Sequence, residues 1–313
     1  MTPVAASFLL ALTIPAAPAR KADRGLPADL IDLLPEDTAA VLVIDVPRAT
    51  KSEIGSLALK LILAEEGADN PLPLADVARD AEQVVIAQFL IDKGAGDFLF
   101  LLRLKAGSEI PKTLLGRAQK GGKDGGPERL GKRTVHNLEG PSLSFALADE
   151  RTVMIVGTTG DEHQMKESRA AAYAERDKPG PRPALRRLLA ADAGAENWPI
   201  RIYGEHPTKL GYSAALVLSP FGNLEKVLVK DAIQSYRGGI RLGETGEVEL
   251  RFTAKDADTA KRLLEAYEGL ARDDPLSQEL RRSGKAVRDG DQVVVTGRVT
   301  RAQIERLAFN PNK

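Results

Sequence analysis

The chain has 313 residues, enough for one large hydrophobic core or two moderate ones. Its 44 basic and 44 acidic residues balance to a formal net charge of zero, and only 4% of the residues are aromatic. These values disfavour a nucleic-acid partner, because the chain has neither a global positive field nor many rings on which bases could stack. The absence of cysteine excludes disulfides, thiolate catalysis and cysteine-ligated zinc.

The first segment of the chain, residues 1–19, is uncharged. It contains an apolar run from Val4 to Ile14 and ends in Ala17-Pro-Ala19, directly before Arg20. This pattern is typical of a signal peptide cleaved after Ala19, although no basic residue precedes the apolar run. We therefore expect export to the periplasm or the extracellular space; the alternative is a disordered apolar tail. No second segment is long and apolar enough to predict an integral membrane span.

The segment Ala39 to Val46 is apolar on both of its faces, which predicts a central β-strand covered on both sides of its sheet. Pro47 then breaks the strand. The segment Thr50 to Glu53 has the spacing of a capping box, and a helical apolar stripe follows it.

The rest of the first half alternates between strands and helices. Apolar runs at 84–91 and 98–104 flank a Gly-rich turn and predict a buried hairpin. Ser108 is predicted to cap a helix. Three short strands follow, at residues 133–138, 143–147 and 152–156. A second capping box, Thr159 to Glu162, then begins a helix that runs to about Arg176.

Asp177 to Pro183 is the strongest break in the sequence, with Pro or Gly at four positions. It predicts a boundary between an N-terminal α+β half, residues 20–180, and a C-terminal α+β half, residues 181–313.

The second half has a strand near 198–203, an ambiguous apolar segment at 210–230 and a hairpin at 237–254. The second strand of that hairpin alternates strictly, so we expect it to be half solvated. A helix from about Asp256, a hairpin around Asp289-Gly290 and a capping box at Thr300 to Gln303 complete the chain.

The two halves resemble each other in one feature. Phe98 to Ala106 and Val248 to Asp256 each close a hairpin and precede a helix, and Gly131-Lys132 and Gly284-Lys285 then lead into strands. Two diverged copies of one unit would explain this, and so would a shared strand-to-helix pattern without common descent. The predicted fold is therefore α+β, with mixed or antiparallel sheets covered by amphipathic helices and a two-fold internal pseudo-repeat.

The segment Leu34-Pro-Glu-Asp-Thr-Ala-Ala-Val-Leu-Val-Ile-Asp-Val-Pro-Arg48, followed by Ser52-Glu-Ile-Gly55, resembles a group of uncharacterised exported proteins of planctomycete-type bacteria. The ending, where Gln292-Val-Val-Val-Thr-Gly297 precedes a short helix, is similar to that group as well. The resemblance implies export and covers most of the mature chain. It implies no activity and transfers no functional residue.

Asp45 is the most suggestive single residue for chemistry, since it is a carboxylate at the end of a predicted buried strand. Buried carboxylates mark some active sites. Arg48 is close in sequence, however, and residues at strand ends commonly cap the next helix. We therefore favour a structural role for Asp45.

Other candidate motifs are incomplete. Gly126 to Arg133 has the spacing of a phosphate loop, but Arg133 replaces the Ser or Thr that would bind magnesium. His163 lies beside two acidic residues without any metal-ligand spacing, and His136 and His206 stand alone. Ser213 lacks the second Gly of a nucleophile elbow.

The segment from Arg103 to Arg133 holds nine basic and three acidic residues. It is either a patch for an anionic polymer or lipid surface, or, as we favour, a solvated connector.

No catalytic, cofactor-binding or metal-binding residue is predicted, and no cofactor. We expect an exported non-catalytic protein with a binding or structural role in the envelope, with another envelope protein as a candidate partner. The alternative is a periplasmic hydrolase or ligand-binding enzyme with its site near Asp45.

Overall fold

The computed structural model describes residues 26–64, 74–89, 97–120, 126–139, 142–158, 162–173, 180–190, 198–205, 233–270 and 282–303. The strands of this part of the chain are β1 (Thr38–Asp45), β2 (Ala81–Phe89), β3 (Asp97–Leu104), β4 (Glu128–Leu130), β5 (Arg133–Glu139), β6 (Leu143–Asp149), β7 (Thr152–Gly157), β8 (Ile200–Glu205), β9 (Ile233–Leu242), β10 (Gly246–Ala254), β11 (Lys285–Asp289) and β12 (Gln292–Val299). The helices are α1 (Ala28–Ile31), α2 (Val46–Ala49), α3 (Glu53–Ala64), α4 (Leu74–Asp80), α5 (Ile110–Lys120), α6 (Glu162–Tyr173), α7 (Pro183–Ala190) and α8 (Ala257–Leu270).

The strands form one sheet in the order β11-β12-β10-β9-β8-β1-β2-β3-β7-β6-β5-β4. Each pairing between neighbours is antiparallel. The α+β class is therefore confirmed, with a large antiparallel sheet as its centre. The predicted division at residue 180 stays a prediction; the sheet itself continues from β1 to β8 through their antiparallel pairing.

Strand β1 lies inside the sheet, between β8 and β2. From Ala40 to Ile44 its side chains are buried, so both faces are covered as the apolar run predicts. The strand ends at Asp45, and Val46 already begins helix α2.

One face of the sheet, here called the first face, is apolar along nearly its whole width. Leu42 of β1, Phe100 of β3 and Phe252 of β10 belong to one buried cluster on it. Helices α3, α4, α5 and α8 contribute buried side chains to the same cluster. The first face is therefore the main core.

The opposite face, here called the second face, changes character along the sheet. In the N-terminal half Val43, Val85, Leu101 and Val156 form a second buried cluster with residues of α1, α6 and α7. Beyond Tyr203 of β8 the second-face positions are mostly charged or polar.

The predicted capping box at Thr50 to Glu53 is wrong. The Ser52 hydroxyl oxygen accepts from the Gly55 N–H at 2.9 Å at the start of α3. Thr50 instead closes α2, because its hydroxyl donates to the Val46 carbonyl oxygen at 2.9 Å. Thr50 and Ser52, which Lys51 separates, could each cap α3, and the short helix α2 takes Thr50 as its own C-terminal residue.

The capping box at Thr300 to Gln303 is confirmed. The Gln303 N–H donates to the Thr300 hydroxyl oxygen at 3.3 Å, and the Thr300 N–H donates to the Gln303 carboxamide oxygen at 2.6 Å. The box at Thr159 to Glu162 and the segment 210–230 fall wholly or largely outside the described residues.

Candidate functional site

Asp45 stands at the junction of β1 and α2. Its carboxylate accepts from the Arg48 N–H at 3.1 Å, and the Arg48 guanidinium lies 3.8 Å from the other carboxylate oxygen. The Asp45 N–H donates to the Pro199 carbonyl oxygen at 2.8 Å. Asp45 therefore caps α2 and pairs with Arg48, in agreement with the structural role that the sequence favours.

Beside Asp45 lies a cleft of about 870 Å³, here called the corner cleft. It forms where the α2–α3 junction meets the β9–β10 turn, the start of β8 and the segment after β12. The described residues that line it are Arg48, Lys51, Ser52, Glu53, Ile54, Pro199, Arg241, Leu242, Gly243, Glu244 and Arg301.

The corner cleft depends on a close approach at Gly55. A Cβ atom at this position would overlap the Ala49 carbonyl oxygen and lie 2.5 Å from Leu242 Cδ1. Only glycine allows the first turn of α3 to pack this tightly on α2 and on the end of β9. This contact sets one wall of the cleft.

The described lining residues of the corner cleft carry four cations and two carboxylates. Arg301 pairs with Glu53 at 2.9 Å. The Lys51 ammonium makes no ion pair with a carboxylate of the described residues. Arg48 and Arg241 are paired with Asp45 and Glu247, so Lys51 is the lining cation that the described carboxylates leave without an ion pair.

A second cleft, of about 480 Å³ and here called the tryptophan cleft, lies on the second face of the sheet. Arg241 lines both clefts. The described residues that line the tryptophan cleft are Trp198, Arg241, Glu247, Val248, Glu249, Arg282, Ser283, Gly284, Lys285, Thr296, Gly297 and Arg298.

Trp198, the single tryptophan of the chain, packs against Gly239 of β9. A Cβ atom at Gly239 would lie 2.5 Å from Trp198 Cε3 and 2.8 Å from Cδ2. The indole ring can therefore rest on the strand only because residue 239 has no side chain. The sequence predicts only that Trp198 begins a strand, because no local pattern relates it to Gly239.

The charges in the tryptophan cleft are unevenly paired. The Glu247 carboxylate lies 3.0 Å from the Arg241 guanidinium and 3.9 Å from that of Arg298. In the part of the chain that the structure describes, neither Arg282 nor Lys285 forms an ion pair with a carboxylate. Two cations on this surface are thus available to a ligand.

Among the described residues, the histidines do not form a common site. The exposed His163 lies 3.3 Å from Glu167 one helical turn away. His136 stacks on Phe145 with 5.0 Å between ring centroids, and burial lowers its pKa from 6.5. His206 and Ser213 lie outside the described residues. No group of three or more His, Asp or Glu within the described ranges could hold a metal ion.

The segment Gly126 to Arg133 forms the β4–β5 hairpin, with Gly131 at a φ of 61° in its turn. This geometry gives no strand-to-helix phosphate loop, as the missing Ser or Thr suggested. In the basic segment that contains it, Arg103 pairs with Asp29 and Lys112 pairs with Glu109. These cations are engaged within the fold.

Among the described helices, none has the length and apolar character that crossing a membrane requires.

The fold and the clefts define an α+β protein with a wide antiparallel sheet and two charged surface depressions. No protein-family model matches the chain, and no curated protein sequence matches it. Its structure is similar to crystal form I of TP0453, a Treponema protein, with a TM-score of 0.53 and 12% identity over 89% of this chain and 94% of that one. Crystal form III of TP0453 gives a TM-score of 0.50 at 12% identity, over 89% and 95% of the two chains. At this identity the similarity establishes a shared fold and nothing about function.

Proposed function

We propose that the chain is an exported, non-catalytic binding protein of the cell envelope, and that it holds an acidic group of another envelope component in the corner cleft. The observation that carries the proposal is the Lys51 ammonium, which lines the cleft and makes no ion pair with a carboxylate of the described residues. The nearest candidate catalytic acid, Asp45, is already used as a helix cap. The resemblance to exported planctomycete-type proteins agrees with the assignment of location.

The second candidate is a periplasmic hydrolase or ligand-binding enzyme with its site near Asp45. One contact favours it: Arg48 both lines the corner cleft and lies 3.8 Å from the Asp45 carboxylate. A substrate in the cleft would therefore come close to an ionisable side chain.

Substitution of Asp45 separates the two functions. Asn caps helices as well as Asp does, so Asp45→Asn should leave both stability and cellular phenotype unchanged. Asp45→Ala should lower the free energy of unfolding by about 1 kcal/mol, measured by urea denaturation. Loss of phenotype in a stably folded Asp45→Asn variant would contradict the non-catalytic function and support the enzyme.

The corner cleft can be tested with a fluorescein-labelled hexaglutamate peptide as the acidic probe. Anisotropy should show binding that weakens several-fold in Lys51→Gln, because this ammonium has no carboxylate partner in the described structure. Lys112→Gln is the matched control, since Lys112 pairs with Glu109 at 2.8 Å on α5. Equal affinities for all three proteins would contradict the proposal.

Export is tested by fractionating cells that express the full chain and sequencing the N-terminus of the recovered protein. We expect the envelope or extracellular fraction to hold a chain that starts at Arg20. A chain found only inside the cell with Met1 intact would contradict export.

We also propose that the halves descend from one repeated unit. The spatial strand orders β1-β2-β3-β7 and β8-β9-β10-β12 support it, and in each a helix, α5 or α8, follows the third strand along the chain. A sequence profile built from relatives should align Phe98 to Ala106 with Val248 to Asp256. Failure of that alignment would favour a shared strand-to-helix pattern without descent.

A further inference from the structure

We infer that the tryptophan cleft is a binding site for an acidic sugar of the hexuronic acid type. This site lies on the second face of the sheet, and the inference does not depend on the function proposed for the corner cleft.

Trp198 forms an aromatic wall of the tryptophan cleft. Trp198 is fixed in position because its ring packs against the backbone of β9 at Gly239. A tryptophan ring combines a large flat apolar surface with a polar N–H edge. The apolar C–H face of a pyranose ring matches that surface, while the hydroxyl groups of the sugar extend to the sides.

Two cations without a described carboxylate partner line the same cleft. Arg282 and Lys285 flank Gly284, and a Cβ atom at Gly284 would overlap the Thr296 carbonyl oxygen. Glycine therefore brings this segment directly onto β12 and places both side chains on the wall of the cleft. A guanidinium binds a carboxylate through two parallel hydrogen bonds, which suits the acid group of a uronic acid.

The carboxylates of the tryptophan cleft suit the hydroxyl groups of a sugar. Glu247 and Glu249 present carboxylate oxygens to the cleft, and these accept hydrogen bonds from sugar hydroxyl groups. The volume of about 480 Å³ lies within the range of sites for small organic ligands.

The experiment titrates digalacturonic acid into the full chain and follows the fluorescence of Trp198, which is the single tryptophan. We expect a saturable change, and at least tenfold weaker binding of the neutral disaccharide with the same linkage. The double variant Arg282→Gln/Lys285→Gln should also bind the acid at least tenfold more weakly. Both substituted side chains are exposed, so this variant should fold.

Two controls locate the site. Lys112→Gln on α5 lies outside the residues that line either cleft, so it should leave the affinity for digalacturonic acid unchanged. Trp198→Ala should abolish binding measured by calorimetry, whereas Trp198→Phe should retain part of it. The absence of saturable binding, equal binding of the neutral sugar, or tighter binding of adenosine monophosphate would each overturn the inference.

Discussion

The two halves of the sheet share their first face and differ on the second. In the N-terminal half the second face carries Val43, Val85 and Leu101 under helices α1, α6 and α7. In the C-terminal half the strictly alternating strand β10 places Glu247, Glu249 and Arg251 there. A strand that is apolar on both faces serves only the core, whereas an alternating strand leaves one face for ligands.

This difference assigns separate roles to the halves. The N-terminal half gains stability from burial on both sides of the sheet. The C-terminal half lacks that burial on the second face, where the tryptophan cleft lies, and its Arg241 lines the corner cleft as well. Substitutions on the second face should therefore lower the free energy of unfolding much more in the N-terminal half than in the C-terminal half.

The largest effect is expected from Leu101→Ala on the second face of β3. Leu101 is fully buried, so the variant should lose about 2–5 kcal/mol of unfolding free energy through lost burial and a residual cavity. The comparison variant is Thr253→Ala, on the second face of β10, with an expected cost below about 0.5 kcal/mol. Urea denaturation measures both. Similar losses of unfolding free energy would show that the second face is equally buried in the two halves.

A smaller effect is expected from Gly239→Ala, which forces a methyl group into the Trp198 ring. Overpacking of this kind costs about 1–3 kcal/mol, and the displaced indole should shift its fluorescence emission. Gly126→Ala is the matched control, because a Cβ at that position meets no atom within 4 Å. An unchanged spectrum in Gly239→Ala would refute the packing of Trp198 on β9.

The pH dependence of stability should depend on His136, near the far edge of the N-terminal half. Burial lowers its pKa below the unfolded value of 6.5, so the unfolded chain binds a proton more readily than the folded one. The contribution of His136 is therefore complete above pH 6.5 and is lost as the pH falls below that value. His136→Phe keeps a ring beside Phe145 and should remove this contribution to the pH dependence of the free energy of unfolding. If the unsubstituted chain and His136→Phe show the same dependence of unfolding free energy on pH, the burial of this imidazole is contradicted.

The smallest effect is expected from Glu249→Gln on the charged second face. Glu249 pairs with Arg251 at 2.6 Å, and both side chains are partly exposed. Such pairs contribute about 0–1 kcal/mol, and salt weakens them further. Thermal unfolding at low and high salt measures the difference. A loss above about 2 kcal/mol would mean that this face is dry and covered.

Local elements are predictable wherever one residue pattern dominates. The apolar run of β1, the alternation of β10 and the reciprocal box at Thr300 to Gln303 all correspond to the elements that form. Each depends on contacts between residues close along the chain or on the burial of a whole face. Asp45 belongs to the same group, because its partner Arg48 is three residues away.

Contacts between distant residues depend instead on how the strands pair and how the helices pack on the sheet. The choice between Thr50 and Ser52 as a cap followed from the short helix α2, and the position of Trp198 on Gly239 followed from strand register. The corner cleft unites residues as far apart as Arg48 and Arg301. Patterns of neighbouring residues do not predict such long-range contacts, because register and strand order are set by the packing of the whole sheet against its helices.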